Sequence, residues 1–369
     1  MVETGVSYFS SRTMRHFLAD LDDMLAHHCS YVVHCFTETD LLYYRETMRE
    51  IVGATKAAGL DVWLDPWGVA GVFSGETLSR FPLDNVETLQ VLSDGRRAPA
   101  SCPNHPETRR FLREWVRAAA ETGGDGVIWD EPHFFVPLMR GERSKAWACR
   151  CDVCRERFCE RTGRAMPDTF DAEVRAFRDA SVIELIDELA TEARRLGLRN
   201  DLCLFPVDFV AAGFPGLASR LARTVGEDDA NANPLLQFGI SDWEAAAAIP
   251  ALDMLGTDPY WFALAVDREP FFSAFVEKAL GLARRNGLKS QVWVQAFLVP
   301  EGREEELKEG LACAAALGAD YVAAWSYGAS ESISRIRCAR PDVVWRVIGE
   351  AFRALRGEGQ VMGGGASQS

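Results

Sequence analysis

The sequence lacks the features of several large classes of protein. It has no long basic run, and its formal net charge of −14 and pI near 5.0 disfavour binding to nucleic-acid phosphates. It has no apolar stretch long enough to span a membrane, and its N-terminus shows no basic segment followed by an apolar core. We therefore expect a cytoplasmic chain with neither a nucleic-acid nor a membrane partner.

Motifs of common enzyme classes are also missing. No G-x-G-x-x-G turn follows the first predicted strand, and no G-x-S-x-G elbow is present, which disfavours a dinucleotide-binding fold and a Ser-His-Asp hydrolase. No H-x-H motif marks the first strand, as a barrel-type zinc hydrolase would require. The "SYGASES" segment (326–332) is only a weak version of a phosphate-binding loop. We expect no organic cofactor.

The composition is that of a single folded domain. Apolar residues make up 48% of the 369 residues and charged residues 25%, which is enough to bury a large core. We predict one domain over 1–356, with a cysteine-rich insertion at 136–168 and a disordered Gly/Ser-rich tail at 357–369. The sequence is silent on subunit contacts and leaves a homo-oligomer open.

Short apolar runs alternate with amphipathic helical patterns along the whole chain. This alternation predicts an α/β fold, specifically a (β/α)8 TIM barrel with the cysteine-rich insertion after its fourth strand. The predicted strands are 5–10, 31–40, 61–68, 126–131, 201–208, 253–261, 290–297 and 320–328.

Carboxylates and aromatic residues are concentrated at the C-terminal ends of these strands, where barrel active sites lie. Aromatic rings among carboxylates suit a carbohydrate, because sugar C–H faces pack on indole while acidic oxygens accept hydrogen bonds from hydroxyls. A structural alternative is that the tryptophans are interior packing and the acids are helix caps. The residues at these strand ends are Glu38, Asp40, Asp65, Trp67, Trp129, Asp130, Glu131, Asp208, Asp258, Tyr260, Trp261, Trp293, Gln295, Phe297, Trp325 and Tyr327.

Two adjacent carboxylates, Asp130 and Glu131, end the fourth predicted strand. Neighbouring strand residues point to opposite faces, so both reach one site only if the strand ends there in a turn or a bulge. Mutual repulsion and nearby aromatic rings would raise at least one pKa and produce a general acid, as glycoside cleavage requires. We predict Glu131 as the acid/base, with His133 two residues further on as a neighbour of the site.

A glutamate ending the fourth barrel strand resembles the acid/base of the large clan of retaining (β/α)8 glycosidases. That clan usually has asparagine before it, where this chain has Asp130. The cysteines narrow the resemblance, because Cys149, Cys151 and Cys154 in "CRCDVC" follow this strand. One earlier cysteine plus C-x-C-x-x-C is similar to the structural zinc cluster of the microbial β-galactosidases of glycoside hydrolase family forty-two.

The resemblance implies a closed zinc site of four cysteines with Cys102 as the fourth ligand, and His105 and Cys159 stay as alternatives. Free thiols without a metal are the other interpretation. A zinc with four thiolates would be structural, since its shell has no open position for a substrate.

The resemblance fails at the seventh strand. The clan has its nucleophilic glutamate at the end of that strand, whereas this chain has Gln295, whose amide cannot form a glycosyl ester. The partner carboxylate would then come from another strand, with Asp258 ahead of Asp65 and Asp208. Alternatively, the Asp130-Glu131 pair would act as in retaining hexosaminidases, where the 2-acetamido oxygen of the substrate attacks.

A barrel that binds sugar without cleaving it is a third interpretation, and another barrel enzyme such as a lyase or epimerase is a fourth. The residues that we predict to contact the carbohydrate all lie at or near the C-terminal ends of the strands. They are Asp65, Trp67, His133, Asp208, Tyr260, Trp261, Trp293, Gln295 and Trp325.

Overall fold

Eight parallel strands close into a barrel in the computed structural model, which describes residues 1–227 and 233–357. They are β1 (Glu3–Tyr8), β2 (Tyr31–Cys35), β3 (Asp61–Asp65), β6 (Gly126–Asp130), β7 (Arg199–Leu204), β8 (Met254–Thr257), β9 (Lys289–Gln295) and β10 (Tyr321–Trp325). Each strand pairs with the next in this series, and β10 pairs with β1 to close the ring. The predicted TIM barrel is confirmed.

Helices cover the outside of the barrel. In chain order they are α1 (Met14–Ala26), α2 (Glu38–Tyr43), α3 (Arg45–Ala57), α4 (Phe81–Asp84), α5 (Pro106–Glu121), α6 (Asp152–Thr162), α7 (Ala172–Arg195), α8 (Pro215–Thr224), α9 (Trp243–Ala247), α10 (Arg268–Arg285), α11 (Glu305–Ala316) and α12 (Pro341–Leu355). Within the described part of the chain, no helix combines the length and the apolar character that crossing a membrane requires.

Two long connections interrupt the regular alternation. The first follows β3 and contains an antiparallel hairpin, β4 (Leu89–Val91) and β5 (Arg97–Ser101). The second follows β6 and contains the cysteine-rich segment with α6, as the sequence predicts. Of the predicted tail at 357–369, all but Gly357 lies outside the described residues.

Residues alternate along each strand between the barrel interior and the helix layer. The inward cluster includes Tyr31, Trp63, Ile128, Met254 and Trp293, whereas the aliphatic residues between them pack on the helices. Gly5 gives the inward Tyr31 ring its room, because a Cβ at Gly5 would lie 2.4 Å from Tyr31 Cζ. The interior is therefore a packed core with its acidic positions at the C-terminal end.

The predicted second strand, 31–40, is too long. It ends at Cys35 because Thr37 begins α2 with a capping box: the Thr37 hydroxyl accepts from the Asp40 amide at 3.2 Å, and Asp40 accepts from the Thr37 amide at 2.9 Å. Glu38 is buried and accepts from the amides of Ala70, Arg80 and Phe81. Glu38 and Asp40 are thus structural anchors of loops and helix ends.

Candidate active site

Glu131 turns back into the barrel mouth directly after β6. The strand ends at Asp130, and Glu131 has a φ of 39°, a left-handed conformation that is rare outside glycine. The turn is held by the Glu131 amide, which donates to the carbonyl of Cys203 at 3.1 Å, and by Nδ1 of His133, which donates to the carbonyl of Glu131 at 2.7 Å. This turn brings both adjacent carboxylates to one site.

The long loop after β3 holds the same two residues from the other side. The Ser74 hydroxyl donates to Oε2 of Glu131, and the Ser74 amide donates to the carbonyl of Asp130 at 3.1 Å. The Gly68 amide in turn donates to the carbonyl of Ser74 at 2.7 Å and closes this part of the loop. A residue of the third strand's loop thereby positions the carboxyl at the end of the fourth strand.

Gly75 lets this loop pass close to Trp67. Its φ is 138°, and a Cβ on it would lie 2.2 Å from Cδ1 of the Trp67 indole. Any side chain at this position would displace either the loop or the ring. Glycine is therefore required for the contact between Trp67 and the loop that carries Ser74.

Five carboxyl groups meet at the barrel mouth, and we call them the acidic pocket: Asp65, Glu76, Asp130, Glu131 and Asp258. Burial, followed by the charge of Glu76, raises the pKa of Asp65 well above its usual value. Burial and the charge of Asp65 do the same for the pKa of Asp130. Glu76 lies at the exposed edge, where desolvation by the surrounding protein and the charge of Glu131 raise its pKa.

Asp258 contacts Glu131 in the acidic pocket. It is 2% exposed, and burial, the charge of Glu131 and a side-chain hydrogen bond with Glu131 raise the pKa of Asp258 well above its usual range. Asp258 therefore keeps its proton while it contacts Glu131. An oxygen of Asp258 also lies within 4.8 Å of an oxygen of Asp130 and of the Cys203 sulfur, a set of donors that could accept a metal ion.

Aromatic rings form one wall of the pocket. Phe9 stacks on Trp67 with ring centroids 4.7 Å apart, and Trp325 lies 6.0 Å from Phe9 and 6.3 Å from Trp67. On the opposite side, Tyr260 contacts Phe297 edge-on at 5.0 Å. Burial and the charge of Asp258 raise the pKa of Tyr260, so its hydroxyl keeps its proton beside the carboxyls. These rings place flat apolar surface next to the carboxyl groups.

The remaining predicted strand-end residues occupy different places. Gln295 is buried and uses its whole amide on the backbone, accepting from the Ala263 amide at 3.0 Å and donating to the Phe297 carbonyl at 2.8 Å. Trp293 lies one layer deeper, where Nε1 donates to Gln291. Burial lowers the pKa of His133 to about 4, and its ring stacks on a phenylalanine 4.4 Å away.

Four other residues lie away from the pocket. Trp129 and Trp261 face the helix layer, where their indole nitrogens donate to Asn200 at 3.1 Å and to Glu306 at 3.0 Å. Asp208 caps a turn on the outer surface by accepting from the Ala211 amide at 3.1 Å. The Tyr327 hydroxyl donates to Asp20 behind the barrel wall at 3.1 Å.

A further carboxyl lies below the acidic pocket, inside the barrel. Asp201 on β7 is fully buried, and neither of its oxygens has a hydrogen-bond partner among the described residues. Burial raises the pKa of Asp201 to about 8. The group is therefore neutral at moderately acidic pH.

The predicted cysteines converge on a second site. The sulfurs of Cys102, Cys149, Cys151 and Cys154 all lie within 4.8 Å of one another, in a group that could hold a metal ion. Amide donors surround them: the Val91 amide donates to Cys149 at 3.5 Å, and the Cys151 amide does so at 3.4 Å. Such N–H···S contacts favour thiolates, the form that binds metal.

The two other ligand candidates are occupied or distant. Nδ1 of His105 caps α5 by accepting from the Glu107 amide at 3.3 Å, and Cys159 is exposed on α6. The four-cysteine cluster joins the two long connections, since Cys102 directly follows β5 and the other three lie after β6. A bound metal would tie the loop that carries Ser74 to the segment that follows Glu131.

Three contributors to the acidic pocket are absent from the strand-end prediction: Ser74, Glu76 and Phe9. Ser74 and Glu76 lie within the long loop after β3, and no periodicity marks which loop residues turn inward. Phe9 directly follows β1 and alternates with Gly5 and Ser7, so the strand period predicts that it points to the same inward face as they do.

No protein-family model matches the sequence, and no curated protein matches it. The fold and the acidic pocket define a (β/α)8 barrel with its candidate active site at the C-terminal ends of the strands.

Solved structures of glycoside hydrolases share this fold. The catalytic domain of a β-amylase from Paenibacillus polymyxa has a TM-score of 0.65 and 10% identity, over 95% of this chain and 98% of that one. A β-galactosidase from Bacillus circulans sp. alkalophilus has a TM-score of 0.66 and 15% identity, over 96% of this chain and 56% of that one. The PgaB glycoside hydrolase domain from Bordetella bronchiseptica has a TM-score of 0.57 and 12% identity, over 94% of this chain and 99% of that one. Similarity at these identities shows the fold alone.

Proposed function

We propose that this protein is a glycoside hydrolase in which Glu131 is the general acid/base and Asp258 is its partner carboxylate. The observation that carries the proposal is the contact between these two carboxyls, produced by the left-handed turn at Glu131. The fold shared with β-amylase, β-galactosidase and other glycoside hydrolases supports the same reaction class.

Glycoside cleavage requires an acid for the leaving oxygen and a second carboxylate as nucleophile or base. Burial and the charge of Glu131 raise the pKa of Asp258, so Asp258 holds a proton beside Glu131. A glycosidic oxygen that enters beside Glu131 takes a proton from Glu131, and Glu131 receives that proton in turn from Asp258. Asp258 then acts as the ionised partner, while Trp67 and Trp325 offer their faces to the sugar ring.

This assignment places the partner on the sixth barrel strand. The seventh strand offers only Gln295, whose amide is used by the backbone of two neighbouring loop residues. Asp258 directly follows β8, is buried and contacts Glu131, which makes it the stronger candidate.

A second candidate is substrate-assisted cleavage of a 2-acetamido sugar by the Asp130-Glu131 pair. One observation favours it: the turn at Glu131 brings Asp130 and Glu131 to the same pocket, and each charge contributes to the raised pKa of Asp258. In this version Asp130 orients the acetamido group and Glu131 is the acid. No protein nucleophile is then needed.

We also propose that the cysteine cluster binds a structural zinc. Four sulfurs in mutual contact range and amide donors around Cys149 fit a closed tetrahedral thiolate shell. The arrangement is similar to the zinc cluster of the family forty-two β-galactosidases. Zinc would cross-link the two long connections and take no part in the reaction.

The test is hydrolysis of aryl hexosides and aryl 2-acetamido hexosides by wild type, Glu131→Gln and Asp258→Asn. General acid catalysis is worth roughly 10²–10⁴-fold, so we expect Glu131→Gln to lose at least about a hundredfold in kcat while binding is kept. Glu50→Gln, an exposed change on α3, is the control. Full activity in Glu131→Gln would refute the assignment, and sugar binding without cleavage by wild type would indicate a non-catalytic carbohydrate-binding barrel.

Activity of Asp258→Asn separates the two mechanisms. If plain hexosides are cleaved, this variant should lose activity as strongly as Glu131→Gln. If only 2-acetamido sugars are cleaved and Asp258→Asn remains active, Asp130 and Glu131 form the substrate-assisted pair.

A further inference from the structure

The acidic pocket contains more carboxyls than glycoside cleavage needs. Two groups suffice for the reaction. Even with Asp130 assigned to orienting the substrate, Asp65 and Glu76 have no role in the proposed mechanism. The charge of Glu76 reaches Asp65 and contributes to its raised pKa.

Asp65 is fully buried, and its Oδ1 has no hydrogen-bond partner among residues 1–227 and 233–357. Its Oδ2 accepts only a weak donor, the Cys35 thiol at 3.5 Å. Asp65 ends β3 on the same inward side of the strand as Trp63, so its side chain lies inside the barrel at the C-terminal end of the strand. An unsatisfied buried carboxylate oxygen is costly unless a ligand supplies the donor.

Within the described ranges, no lysine or arginine hydrogen-bonds any of the five carboxyls, and Arg140 acts on Glu76 only through its charge from an exposed position. Trp67 follows Asp65 in the loop after β3, and Phe9 stacks on its indole ring. A buried carboxyl that a neighbouring cation would ionise, an acidic residue at the edge and an indole face together suit an ammonium group.

We propose that Asp65 and Glu76 form a subsite for the ammonium group of an amino sugar, beside the catalytic Glu131 and Asp258. This inference rests on the proposed function and names its substrate class: a glycoside that carries a free amine, in place of a neutral hydroxyl or acetamido group. The amine donates to Oδ1 of Asp65 and to Glu76, and its positive charge lies against the face of Trp67.

The experiment is calorimetric titration of Glu131→Gln, which keeps ligands uncleaved, with three matched sets of methyl glycosides in the gluco and galacto series. The sets carry an amine, an acetamide or a hydroxyl at the 2-position, and the titration is run at a pH where the amine is protonated. Charge-assisted hydrogen bonds predict that the amine binds about tenfold or more tightly than either analogue.

Adding either Asp65→Asn or Glu76→Gln to the Glu131→Gln variant should remove most of its preference for the amine over the two analogues. Asp61→Asn is the control, because Asp61 lies at the opposite end of the same strand and pairs with Arg199. Equal affinity for the three sets, no binding of the amine, or a preference that survives both changes would overturn the proposal.

The outcome is independent of the hydrolysis test. Cleavage of plain hexosides without any preference for the amine would refute this subsite and leave the glycoside hydrolase proposal intact. Tight, Asp65-dependent binding of the amine without cleavage by wild type would support this subsite and refute the glycoside hydrolase proposal.

Discussion

Ser74 and Glu131 lie 57 positions apart in the chain, and the hydroxyl of Ser74 donates a hydrogen bond to Oε2 of Glu131. The same serine donates its amide to the carbonyl of Asp130 at 3.1 Å. The orientation of the candidate acid/base therefore depends on a loop that belongs to a different barrel strand. This dependence can be measured.

Ser74→Ala should lower kcat about tenfold or more with little change in melting temperature, because it removes one donor to a carboxylate at the reacting centre. Ser79→Ala is the matched control, since Ser79 lies in the same loop and donates to Glu38 at 2.6 Å, away from the pocket. It should lower the melting temperature and leave kcat unchanged. Equal loss of kcat in both variants would show that Ser74 acts only through loop stability, and Ser74→Thr should restore part of the activity.

Gly75→Ala should displace Trp67, because the new Cβ would lie 2.2 Å from the indole. We expect a loss of about 2 kcal/mol or more in the free energy of unfolding, together with weaker sugar binding and altered tryptophan fluorescence. Gly95→Ala is the control, since Gly95 also has a positive φ, 86°, but nothing lies within 4 Å of its added Cβ. It should cost about 1 kcal/mol from the backbone alone. Equal costs in the two variants would mean that the contact with Trp67 is unimportant.

Cys151→Ser should reduce bound zinc, measured by elemental analysis, and lower the melting temperature by several degrees. Loss of one ligand opens the tetrahedral shell and weakens zinc binding, so the zinc contributes less to the stability of the folded chain. Cys159→Ser lies on the exposed face of the following helix and should keep both values. A metal-free wild-type protein that melts at the same temperature as protein supplied with zinc would exclude the structural zinc.

Asp201 predicts a pH dependence of stability. Burial raises the pKa of this group to about 8 in the folded chain, against about 3.9 for an unfolded aspartate. The folded state therefore holds a proton that the unfolded state releases, and stability falls as pH rises from about 4 through about 8, by at most about 1.4 kcal/mol per pH unit.

Asp201→Asn should be more stable than wild type at pH 8, with the difference shrinking toward pH 4, as measured by denaturant unfolding across this range. Asp22→Asn, an exposed change on α1, should follow the wild-type curve. Parallel curves for wild type and Asp201→Asn would contradict a buried neutral carboxyl.

The barrel was predictable because its strands are apolar runs separated by helical periodicity, and these patterns depend on local sequence. The strand ends were less predictable. Beyond the last ladder hydrogen bond, alternation no longer determines which way a side chain points. Trp129 is an outward residue of β6, and Trp261 lies four residues past the end of β8, so both rings pack between the barrel and the helices. Both tryptophans were assigned to the site only because they are aromatic residues near a strand end.

The acidic pocket was partly predictable for a related reason. Asp65 and Asp130 are strand-end residues at inward positions, and Asp258 directly follows its strand, so counting located them. Glu131 reaches the pocket through a left-handed turn that the sequence left undecided between a strand and a loop. Ser74 and Glu76 depend on the path of a long loop, which is set by Gly75, Glu38 and the cysteine cluster together rather than by neighbouring residues.

The pairing of β1 with β10 has a consequence for synthesis of the chain. Glu3 of β1 lies opposite Tyr321 of β10. One edge of β1 therefore stays unpaired until β10 has been synthesised. On the ribosome, a growing chain exposes unpaired strand edges until almost the whole domain has emerged. We expect overproduction in a host to benefit from slow translation and from chaperones that shield such edges.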